Sequence, residues 1–152
     1  MLKKNDSARF DLLAYFEGHT LAHGVFEDRG GRIKRRFAVE MTGRWEAGAM
    51  VVDEDFLFDD GERQQRCWTL VPKTSLTFTG TCADAVGEAH GHISDGCAYL
   101  RSTLRIKVGS RLISMDFDDA FYDGGGGLVL NRSTVRKLGI RVGQVLIAFR
   151  KA

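Results

Sequence analysis

Charged side chains that share a strand face with core residues are the most informative feature of this chain. Residues two apart in a strand point to the same side, so Arg66, in the run 62–71, points with Trp68 and Leu70. A charge on an inward face costs several kcal/mol unless it is paired. The same alternation predicts four inward charges, two of each sign, on separate strands: Arg35, Glu54, Arg66 and Asp119. Such residues form an internal ion-pair network, the polar part of a ligand pocket, or both.

Ligand binding is the function that these residues favour. A planar guanidinium binds a carboxylate through two parallel hydrogen bonds, and a small barrel is just wide enough for one small ligand. We therefore predict non-enzymatic binding of a small hydrophobic or amphipathic molecule, such as a lipid or fatty acid, with Arg66 and Arg35 holding its polar head. The predicted ligand-binding residues are Arg35, Glu54, Arg66, Trp68 and Asp119.

Two alternatives use the same residues. In a small enzyme that acts on a hydrophobic substrate, Glu54 or Asp119 would be the acid–base group, with its pKa raised by burial. In a filled structural or interaction barrel, the interior would be closed by aromatic side chains: Phe56, Phe58, Trp68 and Phe117. The balance of two positive and two negative charges favours an internal pairing scheme, so no residue is assigned as catalytic. Two alternatives remain for Arg66: it is fully occupied by Glu54 or Asp119, or it keeps donors free for a ligand.

The histidines do not predict a metal site. His90 and His92 have a spacing known from zinc ligands, but the small or apolar residues 89, 91 and 93 take the inward side, which leaves both histidines outside. His19 and His23 share a face with Leu21 and Val25. One of these two is therefore expected to line the cavity, and they are the candidate axial ligands if the barrel held haem. We expect no cofactor.

Alternating apolar and polar residues between turn signals predict an all-β fold. The predicted strands are about 19–28, 32–45, 49–58, 62–71, 76–82, 87–93, 97–108, 111–122, 128–131 and 144–150. Nine or ten consecutive strands joined by short turns form an up-and-down antiparallel meander, which best hides its edges by closing into a barrel.

Two short helices are also predicted. One covers Val135–Leu138, with Ser133 as N-cap and Gly139 as the left-handed stop, and the other is a helical turn near Leu12–Phe16.

Composition limits the functional classes. The 152 residues, with 43% hydrophobic and 28% charged residues, predict a single domain over 1–152, and a net charge of +2 gives no electrostatic case for nucleic acid. No apolar run is long enough to cross a membrane. The start of the chain shows no apolar leader, so we expect a cytoplasmic protein, or an envelope protein if a leader was removed. The oligomeric state is not predicted.

The three cysteines lack Cys-x-x-Cys spacing and are expected to be free thiols: Cys67, Cys82 and Cys97.

Runs spread over nearly the whole chain carry a family resemblance. They are residues 24–31, 35–37, 43–45, 59–62, 65–66, 68–70, 80–81, 87, 90–91, 117–119, 131–132 and 139. The chain resembles an uncharacterised bacterial family, many of whose members are lipoproteins. The resemblance implies a lipocalin-like (calycin) barrel and no established catalytic residues. This chain departs from the family pattern because it lacks the leader and its lipidated cysteine.

Overall fold

The computed structural model describes residues 10–152, in which ten strands follow one short helix. The expectation of a chain without a leader falls on residues 1–7, which lie outside the described residues. The elements are α1 (Leu12–Tyr15), β1 (Gly18–Asp28), β2 (Ile33–Glu46), β3 (Ala49–Phe58), β4 (Arg63–Pro72), β5 (Thr77–Thr81), β6 (Ala89–Ser94), β7 (Cys97–Val108), β8 (Arg111–Gly125), β9 (Leu128–Lys137) and β10 (Ile140–Lys151). Among the described residues, no helix is both long and apolar enough to cross a bilayer.

The strands form a closed barrel in which each strand runs antiparallel to its neighbours in the chain. The last strand closes the circle, because β10 pairs with β1 from Thr20 opposite Lys151 to Asp28 opposite Gly143. Closure satisfies the backbone groups that an open edge would expose. The predicted all-β meander, closed into a barrel of nine or ten strands, is confirmed.

One of the two predicted helices is wrong. Residues 128–137 form strand β9, and the inward face of that strand is buried: Val129, Asn131, Ser133 and Val135. Ser133 is therefore an inward strand residue, not an N-cap, and Leu138 and Gly139 form the tight turn to β10 with φ of 51° and 79°. The helical turn near Leu12 is confirmed, and Asp11 caps it by accepting a hydrogen bond from the Ala14 amide at 3.1 Å.

Helix α1 closes one end of the barrel. Leu12 and Phe16 are buried there, and the Phe16 ring packs edge-on against Phe149 with 5.8 Å between centroids. A Cβ on Gly43 would lie 1.9 Å from the Phe16 carbonyl oxygen, so only glycine permits this approach. The Lys151 ammonium donates to the Glu17 carbonyl at 2.8 Å and ties the final strand to the same segment. The opposite end, with the turns of β1–β2, β3–β4, β7–β8 and β9–β10, lacks such a cover among the described residues, and we call it the mouth.

One part of the barrel wall is built from short strands. Strands β5 and β6 are brief, so β4 has a strand partner on that side only from Thr69 to Pro72. Loop 82–88 covers the remaining width by bonding to β7: the Arg105 amide donates to the Asp84 carbonyl at 2.8 Å, and the Val86 amide donates to the Thr103 carbonyl at 2.8 Å. This path places the Asp84 side chain opposite the middle of β4.

Candidate functional site

The barrel encloses a cavity of about 660 Å³ that reaches from α1 to the mouth. Its floor is apolar and includes Leu12, Phe16 and Phe149. The aromatic residues that were expected to close a filled barrel line the open space instead: Phe56, Phe58, Trp68 and Phe117. The filled-barrel alternative is therefore wrong, since a volume of this size is typical of a small-molecule site.

A polar cluster lies halfway along this cavity. Glu54 on β3 stands opposite Arg66 on β4 in the register, and Asp119 stands opposite Ser133 on the β8–β9 side of the barrel. All four side chains line the cavity together with Asn131. The structure thus brings together three of the predicted inward charges. We call Glu54, Arg66, Asp119, Asn131 and Ser133 the mid-barrel cluster.

Arg66 does not pair as expected. Its Nε lies 3.2 Å from Oδ2 of Asp84, and its guanidinium carbon lies 5.4 Å from the centre of the Phe56 ring. Among the described residues, neither Glu54 nor Asp119 forms a salt bridge with Arg66 within 4.0 Å. Of the two alternatives for Arg66, full occupation by Glu54 or Asp119 is not what the structure shows, because loop 82–88 delivers a different carboxylate, that of Asp84. The structure gives the two Nη groups no hydrogen bond to any residue in 10–152, so their donors are free to meet a ligand.

Glu54 is held close to neutrality at ordinary pH. Desolvation by burial raises its pKa to about 7; the charge of Arg66 opposes the shift and that of Asp119 adds to it. Its Oε1 atom is buried and has no hydrogen-bond partner among residues 10–152. An unpaired buried carboxylate oxygen is costly when ionised, which agrees with a carboxyl group that is mostly protonated below pH 7 and half-protonated near it.

Asp119 is better satisfied. Burial raises its pKa to about 6, and the strongest opposing effect is a hydrogen bond from Asn131 Nδ2 to Oδ1 at 3.1 Å. Asn131 is fixed by a second bond, from the same nitrogen to the Ala120 carbonyl at 3.1 Å. Ser133 is 3% exposed, and although its hydroxyl is near enough to Asp119 to lower the pKa, it makes no hydrogen bond of good geometry with any described residue.

Arg35 lies apart from this cluster. Its Nη2 atom contacts Asp60 Oδ2 at 3.0 Å and Glu62 Oε2 at 2.9 Å, and its guanidinium carbon stacks 3.6 Å above the Phe58 ring. Along β2 it is six residues beyond Met41, the residue opposite Glu54, or about 20 Å at the usual strand rise. Arg35 therefore lines the part of the cavity near the mouth, apart from the mid-barrel cluster, and a head group shared with Arg66 stays a prediction.

The histidines lie outside the barrel. His19 and His23 are exposed, and the inward positions of β1 are Thr20, Ala22 and Gly24, so the expectation that a histidine lines the cavity or serves as an axial ligand is wrong. His90 and His92 point outward as predicted. Within residues 10–152, no group of three or more histidine, cysteine, aspartate or glutamate side chains is arranged to hold a metal ion.

Three site residues were missed from the sequence: Asp84, Asn131 and Ser133. The last two carry a readable signal, because Val129, Asn131, Ser133 and Val135 alternate as one strand face. Asp84 carries none, since its position depends on the path of a loop.

Comparisons with known proteins agree on the architecture. A structure of the S-type phycobiliprotein lyase CPES from Guillardia theta superposes with a TM-score of 0.68 at 8% identity, covering 92% of this chain and 90% of the lyase. A protein of unknown function from the DUF3598 family of Nostoc punctiforme PCC 73102 superposes with a TM-score of 0.67 at 15% identity, covering 95% of this chain and 51% of the other, so this chain spans about half of that protein. Identities this low show a shared fold alone.

Sequence comparison identifies the family of the chain. No curated protein sequence matches it. A family model, described as a protein of unknown function, matches residues 2–151, and the chain therefore belongs to the DUF3833 family.

Proposed function

We propose that this barrel binds one small amphipathic molecule without transforming it. The observation that carries the proposal is the cavity of about 660 Å³ whose apolar walls surround a mid-barrel cluster with unmet hydrogen-bonding groups. Apolar walls supply most of the binding free energy for such a ligand, and a few convergent polar groups fix its orientation. The lyase with a similar fold supports the small-ligand interpretation at the level of the fold only.

The polar end of the ligand is a neutral group that both donates and accepts hydrogen bonds, such as a hydroxyl or an amide. The Arg66 Nη groups donate, ionised Asp119 accepts, and Glu54, half-protonated near pH 7, does either. A free carboxylate would gain from Arg66 but would meet two buried carboxyl groups that lose their protons as pH rises. This argues against a fatty acid and for a lipid or lipid fragment with an uncharged polar end.

Intrinsic fluorescence tests the proposal directly. The chain has two tryptophans, of which Trp68 lines the cavity, whereas Trp45 is 43% exposed near the β2–β3 turn at the closed end and does not line the cavity. A Trp45→Phe variant leaves one reporter inside the barrel. A long-chain alcohol or monoacylglycerol should shift the Trp68 emission saturably, and the fatty acid of equal length should bind at least tenfold more weakly at pH 8.

Two further measurements complete the test. Native mass spectrometry of gently purified protein should show a retained small molecule. An Arg66→Leu variant should weaken binding of the probe about tenfold or more, whereas Arg63→Leu, on the outer face of the same strand, should not change it. The proposal fails if no probe binds and no molecule co-purifies, or if both arginine variants bind alike.

A second function has one specific observation in its favour. A carboxyl group with a pKa of about 7 beside a cavity is well suited to general acid–base catalysis. In that case the co-purified molecule should change in mass or regiochemistry when incubated with fresh protein. A Glu54→Gln variant should then retain it unchanged, whereas under the binding proposal both proteins retain the same molecule.

A further inference from the structure

One side of the mouth is strongly basic. Three hairpins that are consecutive around the barrel, β1–β2, β9–β10 and β7–β8, contribute residues 29–34, 136–141 and 105–112. Each segment contains three lysines or arginines and no acidic residue. Of these nine side chains, Lys34 pairs with Asp28 at 3.5 Å and Arg136 pairs with Asp118 at 2.6 Å, and the other seven form no salt bridge with a described residue. We call these three segments the basic arc. The turn on the other side of the mouth, residues 59–62, contains three acidic residues and no basic one.

The tips of the basic arc are apolar. Leu138 is 90% exposed, Leu112 is 70% exposed and Ile140 is 59% exposed. Val108 and Ile33 are nearly half exposed at the two flanking turns. Single exposed apolar residues are ordinary, but a group that crowns one end of a barrel and is surrounded by basic residues marks an interaction surface.

Leu138 also violates the backbone preference of its own turn. Its φ of 51° and the φ of 79° at Gly139 match a two-residue type I′ turn, in which asparagine, aspartate or glycine is favoured at the first position. The β6–β7 turn at the closed end has the same pattern of φ values with the favoured pair, Asp95 and Gly96. Ala47, with φ of 47° before Gly48, has the same strained conformation at the closed end, so strain alone does not mark the mouth. Leu138 differs because its large apolar side chain is 90% exposed, which fits a contact outside the chain.

We propose that the basic arc docks the mouth of the barrel onto an anionic lipid bilayer, with Leu138 and Leu112 inserted among the head groups. Basic side chains near an acidic bilayer each raise affinity about fivefold, and inserted leucines add area-dependent affinity that salt does not screen. A second copy of the chain is a poorer occupant, because two basic arcs would repel. A nucleic acid would use the positive charges but leave the leucine tips without a partner.

The proposal does not depend on what the cavity holds. It assigns an orientation: the mouth faces the bilayer, and the end closed by α1 faces away from it. Vesicle binding can therefore be present when ligand binding is absent, and the reverse, so the two proposals are tested separately.

Co-sedimentation with vesicles tests the docking. At low salt, we expect the protein to bind phosphatidylcholine vesicles that contain about one third phosphatidylglycerol. It should bind vesicles of pure phosphatidylcholine at least tenfold more weakly. Most binding to the acidic vesicles should be lost near 1 M salt, where the screening length is about 3 Å. Leu138→Asn should weaken binding about tenfold. The double variant Arg111→Glu, Lys137→Glu should abolish most of it.

Matched controls separate docking from misfolding. Leu138→Asn relieves a strained turn, so its melting temperature should be equal or higher while its vesicle binding falls. Asp95→Leu places the same exposed leucine in the equivalent turn at the closed end, and it should leave vesicle binding unchanged. The proposal is overturned if acidic vesicles are not bound, if neutral vesicles are bound equally well, if Leu138→Asn binds like the parent, or if the parent self-associates through this surface in light scattering.

Discussion

Replacing Glu54 with glutamine should change stability little at acid pH and should stabilise the protein at alkaline pH. The pKa of Glu54 is raised from 4.5 to about 7 by burial. For a carboxyl group with a raised pKa, the unfolded chain loses its proton first, so the favourable contribution is complete below pH 4.5 and is lost as pH rises from about 4.5 to 7. At 1.36 kcal/mol per pKa unit, the parent should lose about 3 kcal/mol of unfolding free energy through this one group.

Glutamine keeps the shape of protonated glutamate and does not titrate. Near pH 4.5 the Glu54→Gln variant should therefore match the parent within about 1 kcal/mol, and at pH 8 it should be more stable than the parent by about 2–3 kcal/mol. Titration of Asp119, whose pKa is also raised, is common to both proteins and largely cancels in the difference. Urea unfolding at several pH values gives the unfolding free energies for this comparison.

The control is Glu40→Gln on the outer face of β2, where the side chain is exposed. Its effect should stay within about 0.5 kcal/mol at every pH. If the difference between Glu54→Gln and the parent does not change with pH, Glu54 is ionised in the folded protein, and the mid-barrel cluster must supply it with a partner that the described side chains do not show.

Three further substitutions test the site and its floor. Gly43→Ala should lower the unfolding free energy by about 3 kcal/mol, because the added Cβ would lie 1.9 Å from the Phe16 carbonyl oxygen. Thr42→Ala, on the outer face, should cost much less. Thermal melts of the two variants give the comparison. Asp84→Asn should cost about 1 kcal/mol, since the Asp84 side chain is 45% exposed and solvent screens its ion pair. The same change should lower the pKa of Glu54 in an NMR titration because Arg66 is released from its partner. An unchanged or higher Glu54 pKa would contradict the proposed balance. Ser133→Ala should leave the unfolding free energy unchanged or raise it by up to about 1 kcal/mol, because the Ser133 hydroxyl lacks a partner. The same variant should bind the ligand more weakly. A clear loss of stability would show that the hydroxyl is hydrogen-bonded in the folded protein.

The barrel and its inward charges were predictable because both follow from local alternation. Period two along β2, β3, β4 and β8 identifies Glu54, Arg66 and Asp119 without knowledge of any distant residue. The partner of Arg66 was not predictable, because Asp84 reaches it through a loop whose path depends on bonds to β7. Ion pairs between separate elements carry no local signal.

Two local signals misled for identifiable reasons. Ser133 and Gly139 imitate a helix cap and stop, but the alternation from Val129 to Val135 and the hydrogen bonds of a closed barrel prevail over them.

On β1 the inward face consists of small residues, because an aromatic ring from β2 fills the space: a Cβ on Gly24 would lie 2.4 Å from the Phe37 ring. Small residues carry little hydrophobic signal, so the sequence predicted that the face of β1 with His19 and His23 points inward, whereas it points outward.

Two departures from local stability rules, one in the cavity and one at its mouth, point to the use of this fold. Glu54 and Ser133 are buried with unmet hydrogen-bonding atoms in the middle of the cavity, and Leu138 is exposed and strained at the mouth. Apolar residues in the interior and an asparagine in the turn would give a more stable barrel. The strained turn at Ala47 shows that such costs also occur at the closed end, so backbone strain alone is not the argument. Unmet polar atoms inside the cavity, together with an exposed leucine at its entrance, are expected when the route between them serves a ligand.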